Sequence, residues 1–423
     1  MAQVSNACFP LNHGMISIEE MYTKIRETIS SIATPHMVSV YDSLGYITAV
    51  DIVAQVDIPA YDNSAVDGYA VNSSYIFGKS APSTEKGHRV STRITAGMDV
   101  AHCDPSQVVR IFTGAAVPNG MDMVFMQEDV QKSSDGLVQF PDDMTKGNNI
   151  RKRGEDVQQG AVIIPQGTKI QPAHIALISS QGYSTVSVYE KLKVGFFSSG
   201  DELLEVGQDA SLLTQGKVFD SNRPMALSLI RSCGMIPVDL GHVRDDLDAT
   251  RAFLRQSVDK CDVIMSSGGM SVGEEDYIHQ VLKEHSLSFW KIAMKPGKPV
   301  GFGMIDGTPF LGLPGNPVSV HIVFGLVGLY VLKILSGEKE FTIPKIPVRL
   351  GFDIKAKLGR REFMRVVLHN DNGVYYAVKS GKQGSGVIST LANASGIIEV
   401  PEQFSALKKG DWVQYIPFSG LYT

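Results

Sequence analysis

At 423 residues the chain is long enough for roughly two to four domains, and it can bury several cores without a metal or disulfide staple. Its composition is that of an ordinary globular chain, 43% hydrophobic and 20% charged, and 41 glycines with 20 prolines fall well short of a low-complexity sequence. Thirty-nine Lys and Arg against 44 Asp and Glu leave a net charge of −5, which argues against a nucleic-acid or membrane binder and requires any anionic ligand to be held by a local basic patch.

Met1 to Pro10 has no basic stretch followed by an apolar core, so no secretory signal is expected there. Residues 12–50 carry a helical pattern, with Ile18, Met21, Tyr22, Ile25, Ile29 and Ile32 at spacings of three and four. Ser17 followed by Glu20 predicts a capping box at its start. From about residue 51 to 146 the texture changes to short β-like runs such as Val108 to Phe112 and Met123 to Gln127. Residues 147–190 are Gly-punctuated, basic at first, and then helical near Pro172 to Gln181. From about 341 the chain is again strand-rich, with alternation in Gly373 to Val378 and Trp412 to Ile416. Cys8, Cys103, Cys233 and Cys261 form no C-x-x-C pair and read as reduced, packed thiols of a cytoplasmic protein.

The segment 192–340 is more informative. Three apolar strand candidates each end in a small-residue turn: Lys193 to Phe197, Asp262 to Met265, and Pro309 to Leu313. Helical patterns containing Met225 to Ile230 and Leu247 to Ser257 lie between the first two. Strand, helix and strand in that order predict right-handed crossovers and a mostly parallel sheet covered on both faces. Ligands in such sheets sit beyond the carboxyl ends of the strands, so all three turns should share one rim. The longest apolar run, Val318 to Leu335, contains His321 and Lys333 and opens with Gly315-Asn316-Pro317. It reads as a buried helix with Asn316 at its N-cap and Pro317 in its first turn, not as a membrane span.

Several constellations carry chemistry. In SSGGMSVGEED at 266–276, Ser266, Gly268, Gly269 and Gly273 let backbone amides approach a phosphate, and the acids that follow suit a hard cation such as Mg²⁺. The other reading is a tight turn with three solvated carboxylates. Asp201 and Glu202, placed equivalently after the first strand, would supply the second half of such a metal site. KIAMKPGKP at 291–299 presents Lys291, Lys295 and Lys298 with no acid between Ser286 and Ile305. Converging lysines on a Pro-stiffened turn suit a multiply charged oxyanion; a solvated hairpin tip is the bland alternative. Arg360, Arg361 and Arg365 form a second basic cluster, read as a further oxyanion contact or a surface patch. DNSAVDGYAV at 62–71 and the loop Arg151 to Asp156 are either capped, salt-bridged turns or parts of a site. No Walker loop, H-E-x-x-H or G-x-S-x-G occurs.

Taken together the motifs resemble the molybdopterin molybdenumtransferases, the MoeA and gephyrin E-domain family. The matching stretches are DNSAVDGYAV at 62–71, IFTGAAVPNG at 111–120, MQEDV at 126–130 and NIRKRGEDV at 149–157. They continue with FSSGDEL at 197–203, VFDSNRPM at 218–225, SSGGMSVGEEDY at 266–277, WKIAMKPGKPVGFG at 290–303, LGLPGNPVS at 311–319 and GRREFMR at 359–365. The departures are Ser199 where Thr is commoner and Met270 where Val is usual, and none removes a charged group.

The resemblance implies a multidomain α/β chain. A three-layer α/β domain at 192–340, similar to the molybdopterin adenylyltransferases, is joined by an extended N-terminal arm at 1–52 plus 147–191, a small β-rich domain at 53–146 and a C-terminal β-barrel-like domain at 341–423. It implies insertion of molybdate into adenylylated molybdopterin (molybdopterin-AMP), with release of AMP, by a Mg²⁺-dependent homodimer. A molybdopterin-adenylating enzyme is an implied partner, and molybdoenzyme maturation proteins are further ones. By matched position the family's functional carboxylates fall on Asp67, Asp156, Glu202, Asp245 and Asp276, its hydroxyl on Thr113, and its cations on Lys291, Lys295, Lys298 and Arg365, with Ser385 in Gly384-Ser-Gly. Glu202, Asp245 and Asp276 are then expected at Mg²⁺. Lys295, Lys298, Arg365 and Ser385 are expected at molybdate, and Lys291 at the leaving phosphate. Asp67, Thr113 and Asp156 would reach that rim from a second subunit. The rival readings are a molybdopterin adenylyltransferase built on the same α/β domain, a non-catalytic scaffold, and an oxyanion-binding regulator.

Overall fold

The computed structural model describes residues 14–77, 87–99, 103–141, 145–213, 216–243, 246–270, 277–284 and 288–422. They form two compact units, one of residues 51–165 and 172–184, the other of the remaining residues.

In the larger unit, alternate residues of each central strand feed opposite cores. Phe196 and Met265 pack on one side of the sheet with Ala226, Ile230, Val320 and Phe324, while Phe197 and Ile264 pack on the other with Leu254, Ile278 and Val281. A sheet that buries both faces is thereby sandwiched between two helical layers. Its strand order is Ile236–Val243, Lys193–Ser199, Val263–Ser267, Thr308–Leu313, Pro299–Ile305, Ser288–Lys291. The first four run parallel, Pro299–Ile305 runs against them, and Ser288–Lys291 pairs antiparallel with it and so regains their direction. The predicted common rim is present, since Ser198 lies opposite Ser267 and Ser267 opposite Leu313, each one or two residues before its Gly-rich turn. The antiparallel hairpin is a feature that the sequence reading did not place in this sheet.

The apolar run folds as Pro317–Val323, a π-helical turn at Phe324–Gly328, and Leu329–Leu335. It is long and apolar enough to cross a membrane, but 94% of it is buried inside the protein. His321 and Lys333 are accommodated locally. Lys333 pairs with Glu338 at 2.7 Å, and His321 Nε2 meets the Tyr422 hydroxyl. Asn316 occupies the N-cap with Pro317 in the first turn, although its side chain makes no capping hydrogen bond.

Beyond residue 345, five strands close a barrel. Arg361–Asp371 pairs with Val374–Lys379, then Ile346–Leu350, Trp412–Pro417 and Gly396–Val400 follow, and the last pairs back with the first. Closure removes the free edge and encloses Val348, Leu350, Val366, Ala377 and Ile398. The short strand Met294–Lys295 adds to Arg361–Glu362 and stitches the lysine loop to the barrel.

Near the N-terminus, Ser17 Oγ accepts from the Glu20 amide at 3.0 Å and starts the helix Ile18–Thr28. The helix stops earlier than the 12–50 pattern predicts, because β-branched Thr28 and Ile29 lead into extended backbone and then the strand Pro35–Ser39.

The smaller unit holds a four-stranded sheet ordered Val90–Ile94, Val108–Ile111, Gly68–Val71, Met123–Met126. Asp67-Gly68, read from sequence as a turn, instead opens a strand. A Cβ at Gly68 would lie 1.8 Å from the Phe125 carbonyl oxygen, so the glycine is required by close backbone approach. The segment 147–165 is tied into this unit by the pairings Ile150–Arg151 with Asn63–Ser64 and Val162–Ile164 with Ile52–Val53.

Of the four cysteines, Cys103, Cys233 and Cys261 are buried, and Cys8 lies outside the described residues. Burial pushes the Cys233 thiol up to about 12 and the Cys261 thiol up to about 11, so both are packed groups rather than nucleophiles.

Candidate functional site

The rim of the larger unit bears a groove of about 790 Å³. Gly268 and Gly269 form one side of it. Gly268 has φ +86°, and a Cβ there would stand 2.8 Å from the Ser199 carbonyl oxygen. The turn is therefore open to glycine alone, and it leaves the backbone uncovered toward the groove. The Gly268 amide donates to the Leu313 carbonyl at 3.3 Å, which locks the turn to the neighbouring strand.

Lys291, Lys295 and Lys298 line the opposite side with Pro296 and Pro299, and all three lysines are exposed. The groove is completed by Trp290, Arg360 and Ser385. One surface thus carries four cations, a glycine turn and a hydroxyl, a set suited to a multiply charged oxyanion. An acid also reaches this surface. Glu362 Oε2 lies 3.1 Å from Lys295 Nζ, and its Oε1 lies 3.2 Å from Arg360 Nη2.

Arg365 corrects the expectation drawn for it. Its side chain is 1% exposed and points behind the groove wall. There Nε donates to Thr390 Oγ1 at 2.8 Å, and Nη2 donates to the carbonyls of Lys382 and Gly384 at 3.1 and 3.0 Å. Gln383 clasps the Arg365 backbone from the same loop, and the Ser385 carbonyl accepts from the Val318 amide at the start of the buried helix. Arg365 therefore holds the loop that presents Ser385, instead of lining the groove itself. Ser266 is likewise fully buried in its strand, and its Oγ finds no hydrogen-bond partner among the described residues.

Glu202 is exposed just past the first strand, and its carboxylate folds over Gly200. It does not line the groove. Asp245, Gly273 and Asp276 lie outside the described residues. Among those described, no group of three or more His, Cys, Asp or Glu stands ready to hold a metal. The described residues thus supply one of the three carboxylates expected at Mg²⁺.

In the smaller unit the structure brings two predicted residues together. Asp67 Oδ1 accepts from the Thr113 amide at 2.9 Å and from its hydroxyl at 2.8 Å. The amide above all, then the hydroxyl, holds the Asp67 carboxyl below the usual carboxylate range. Asp156 is exposed on the adjoining loop, whose basic residues are largely structural: Lys152 Nζ pairs with Asp62 at 2.7 Å and Arg153 Nε with Asp57 at 2.5 Å.

Sequence reasoning missed the place of Glu362, although a period of two along Arg361–Asp371 already separates Arg360 and Glu362 from Arg361, Phe363 and Arg365. That alternation would have divided the basic cluster.

The same architecture is found in known proteins. Residues 16–182 match the MoeA N-terminal region (domains I and II), 195–334 a probable molybdopterin binding domain, and 347–418 the MoeA C-terminal region (domain IV). A molybdopterin molybdenumtransferase of Haemophilus influenzae is 34% identical over 412 residues, covering 96% of this chain and 100% of the relative. One of Bacillus subtilis is 31% identical, covering 90% and 89%. The crystal structure of a molybdopterin biosynthesis MoeA protein from Pyrococcus horikoshii superposes with a TM-score of 0.79 at 27% identity, covering 95% of this chain and 100% of that one. The likeness extends over nearly the full length of both chains, and the chain belongs to the molybdopterin molybdenumtransferase (MoeA) family.

Proposed function

We propose that the chain inserts molybdate into adenylylated molybdopterin and releases AMP and molybdenum cofactor, using the groove of the larger unit. The observation that carries this reading is the convergence of Lys291, Lys295 and Lys298 with Gly268, Gly269 and Ser385 on one cavity of about 790 Å³. That volume lies in the range of small-molecule sites. Lys295, Lys298 and Arg360 hold the molybdate oxygens, and the Ser385 hydroxyl adds a neutral donor. The bare backbone at Gly268 and Gly269 admits the phosphate of the second substrate. When water adds to a phosphorus of the phosphoanhydride, the bridging P–O bond breaks and AMP leaves, and Lys291 stabilises the charge that develops on the departing phosphate.

We extend the proposal to Mg²⁺, to be held by Glu202 with Asp245 and Asp276, where it would neutralise phosphate charge. We also propose a cytoplasmic homodimer in which Asp67, Thr113 and Asp156 of one subunit act with the groove of the other, fed by a molybdopterin-adenylating partner enzyme. Mixing Asp67→Ala with Asp276→Ala then restores activity in the heterodimer, whereas absence of rescue removes the shared site.

The deciding experiment supplies adenylylated molybdopterin with and without molybdate and follows AMP. Release of AMP that depends on molybdate supports the transferase. ATP-dependent adenylylation without molybdate supports an adenylyltransferase instead, and molybdate binding without AMP release leaves a regulator or scaffold. Omitting and restoring Mg²⁺ in the same assay tests the metal.

A further inference from the structure

The lysine loop carries no acid of its own, yet the fold brings one to it. Lys295 lies opposite Glu362 in the parallel pairing of Met294–Lys295 with the barrel, and Glu362 lies opposite Val400 on its other side. Its backbone is thus held by strands on both flanks. The side chain is 8% exposed, and its two oxygens serve different cations, Lys295 and Arg360. A carboxylate buried to this degree is retained only where cations pair with it. The pairing is incomplete on the arginine side, because Arg360 Nε is buried with no hydrogen-bond partner among the described residues.

We propose that Glu362 is a positioning and selectivity residue of the oxyanion groove, a bridge that fixes the Lys295 and Arg360 heads and lowers the charge an entering anion meets. The inference rests on the reading of the groove as the molybdate site. Lys291, Lys295, Lys298 and Arg360 alone would repel one another and collect any small anion indiscriminately. With the carboxylate between two of them, attraction for all anions falls. Because the two heads are now fixed, what remains depends on how well an oxyanion's size fits them. Sulfate and phosphate share the tetrahedral form of molybdate and are smaller, so fixed donors are the means of telling them apart. Selectivity is thereby obtained by weakening the wrong complexes rather than by strengthening the right one.

Equilibrium binding of molybdate and of sulfate to the full chain tests this with E362Q and E362D. The glutamine removes the charge at constant shape. Sulfate then binds about tenfold tighter at low salt, with a steeper loss on adding KCl, and the preference for molybdate over sulfate falls by a similar factor. The aspartate keeps the charge but is too short to bridge both heads. Its sulfate affinity and salt dependence stay at the wild-type level while its molybdate preference falls. In a K295Q background the effect of E362Q shrinks, because one partner of the bridge is already gone. If E362Q does not fold, E362D carries the test. A folded E362Q or E362D with wild-type preference overturns the inference and leaves the substrate reading standing. Wild-type protein that binds no molybdate overturns both.

Discussion

The chain has two clusters of three cations that look alike in sequence, Lys291/Lys295/Lys298 and Arg360/Arg361/Arg365. The fold treats them in opposite ways. The lysines stay together on an exposed loop that lines the groove. The arginines are dispersed by the strand they sit on. Arg361 is consumed by Glu402, Glu19 and Glu399, at 2.8, 2.6 and 3.1 Å. Arg365 is buried among carbonyls, and Arg360 alone reaches the groove. What separates the clusters is the supply of partners: the lysine segment keeps three exposed heads with one acid, Glu362, beside Lys295, whereas the barrel strand meets three acids at Arg361 and two carbonyls at Arg365.

The contrast is broken most severely at Arg365. Arg365→Ala leaves the Lys382 carbonyl and Thr390 Oγ1 without a donor and the Gly384 carbonyl with only the Val387 amide, at a cost of about 3 kcal/mol in urea unfolding. Hydrogen exchange at 382–385 should quicken with it. Unchanged stability with only weakened anion binding would instead return Arg365 to the company of the lysines.

His321, on the helix behind that loop, gives a pH-dependent form of the same test. Burial first, and the Arg365 charge second, push its imidazole down to about 4 from an ordinary value of 6.5. In the folded state it stays neutral where the unfolded chain takes up a proton. Its contribution is therefore complete above pH 6.5 and is lost progressively as pH falls toward 4. Wild type should lose roughly 3 kcal/mol more than His321→Gln between pH 7 and pH 4, measured by denaturant unfolding. Parallel pH curves for the two proteins would show that His321 is solvated.

At the groove the expected losses are chiefly in binding, with a smaller loss of stability because Arg360 still pairs with Glu362. Lys295→Ala lowers molybdate affinity roughly tenfold to a hundredfold, the range of one charge-assisted hydrogen bond. Calorimetry with AMP should show a smaller change. Equal loss of both ligands, or of neither, would remove Lys295 from the oxyanion end.

The sheet rim was legible in sequence because each strand ends in a glycine turn whose backbone requirement is local. The buried helix was legible because Asn316-Pro317 marks its start and an apolar run its body. What sequence did not reveal was non-local. Nothing near Lys295 indicates that Glu362, 67 residues later, will pair beside it. Nor does GRREFMR show which arginine meets an acid from Glu19 or Glu402, since the first contact depends on where the helix Ile18–Thr28 packs and the second on barrel closure. The Asp67-Gly68 turn signal misled for a related reason. Gly68 answers to a carbonyl of the neighbouring strand, not to its own backbone angle.

The finest division between the two clusters runs through Arg360, whose backbone leads into the arginine strand while its side chain faces the lysines. Arg360→Lys keeps the charge, so long-range attraction of an anion persists. It removes the planar fork that lets one head bond Glu362 while its remaining donors face the groove. If Arg360 serves the groove, molybdate affinity falls by about threefold to tenfold, and unfolding free energy stays within about 0.5 kcal/mol of wild type. If it serves the barrel, as Arg361 does, the two responses exchange places: stability drops and affinity holds. Measuring both on the same variant assigns Arg360, because a loss of both marks its contact with Glu362, which the groove and the barrel strand share.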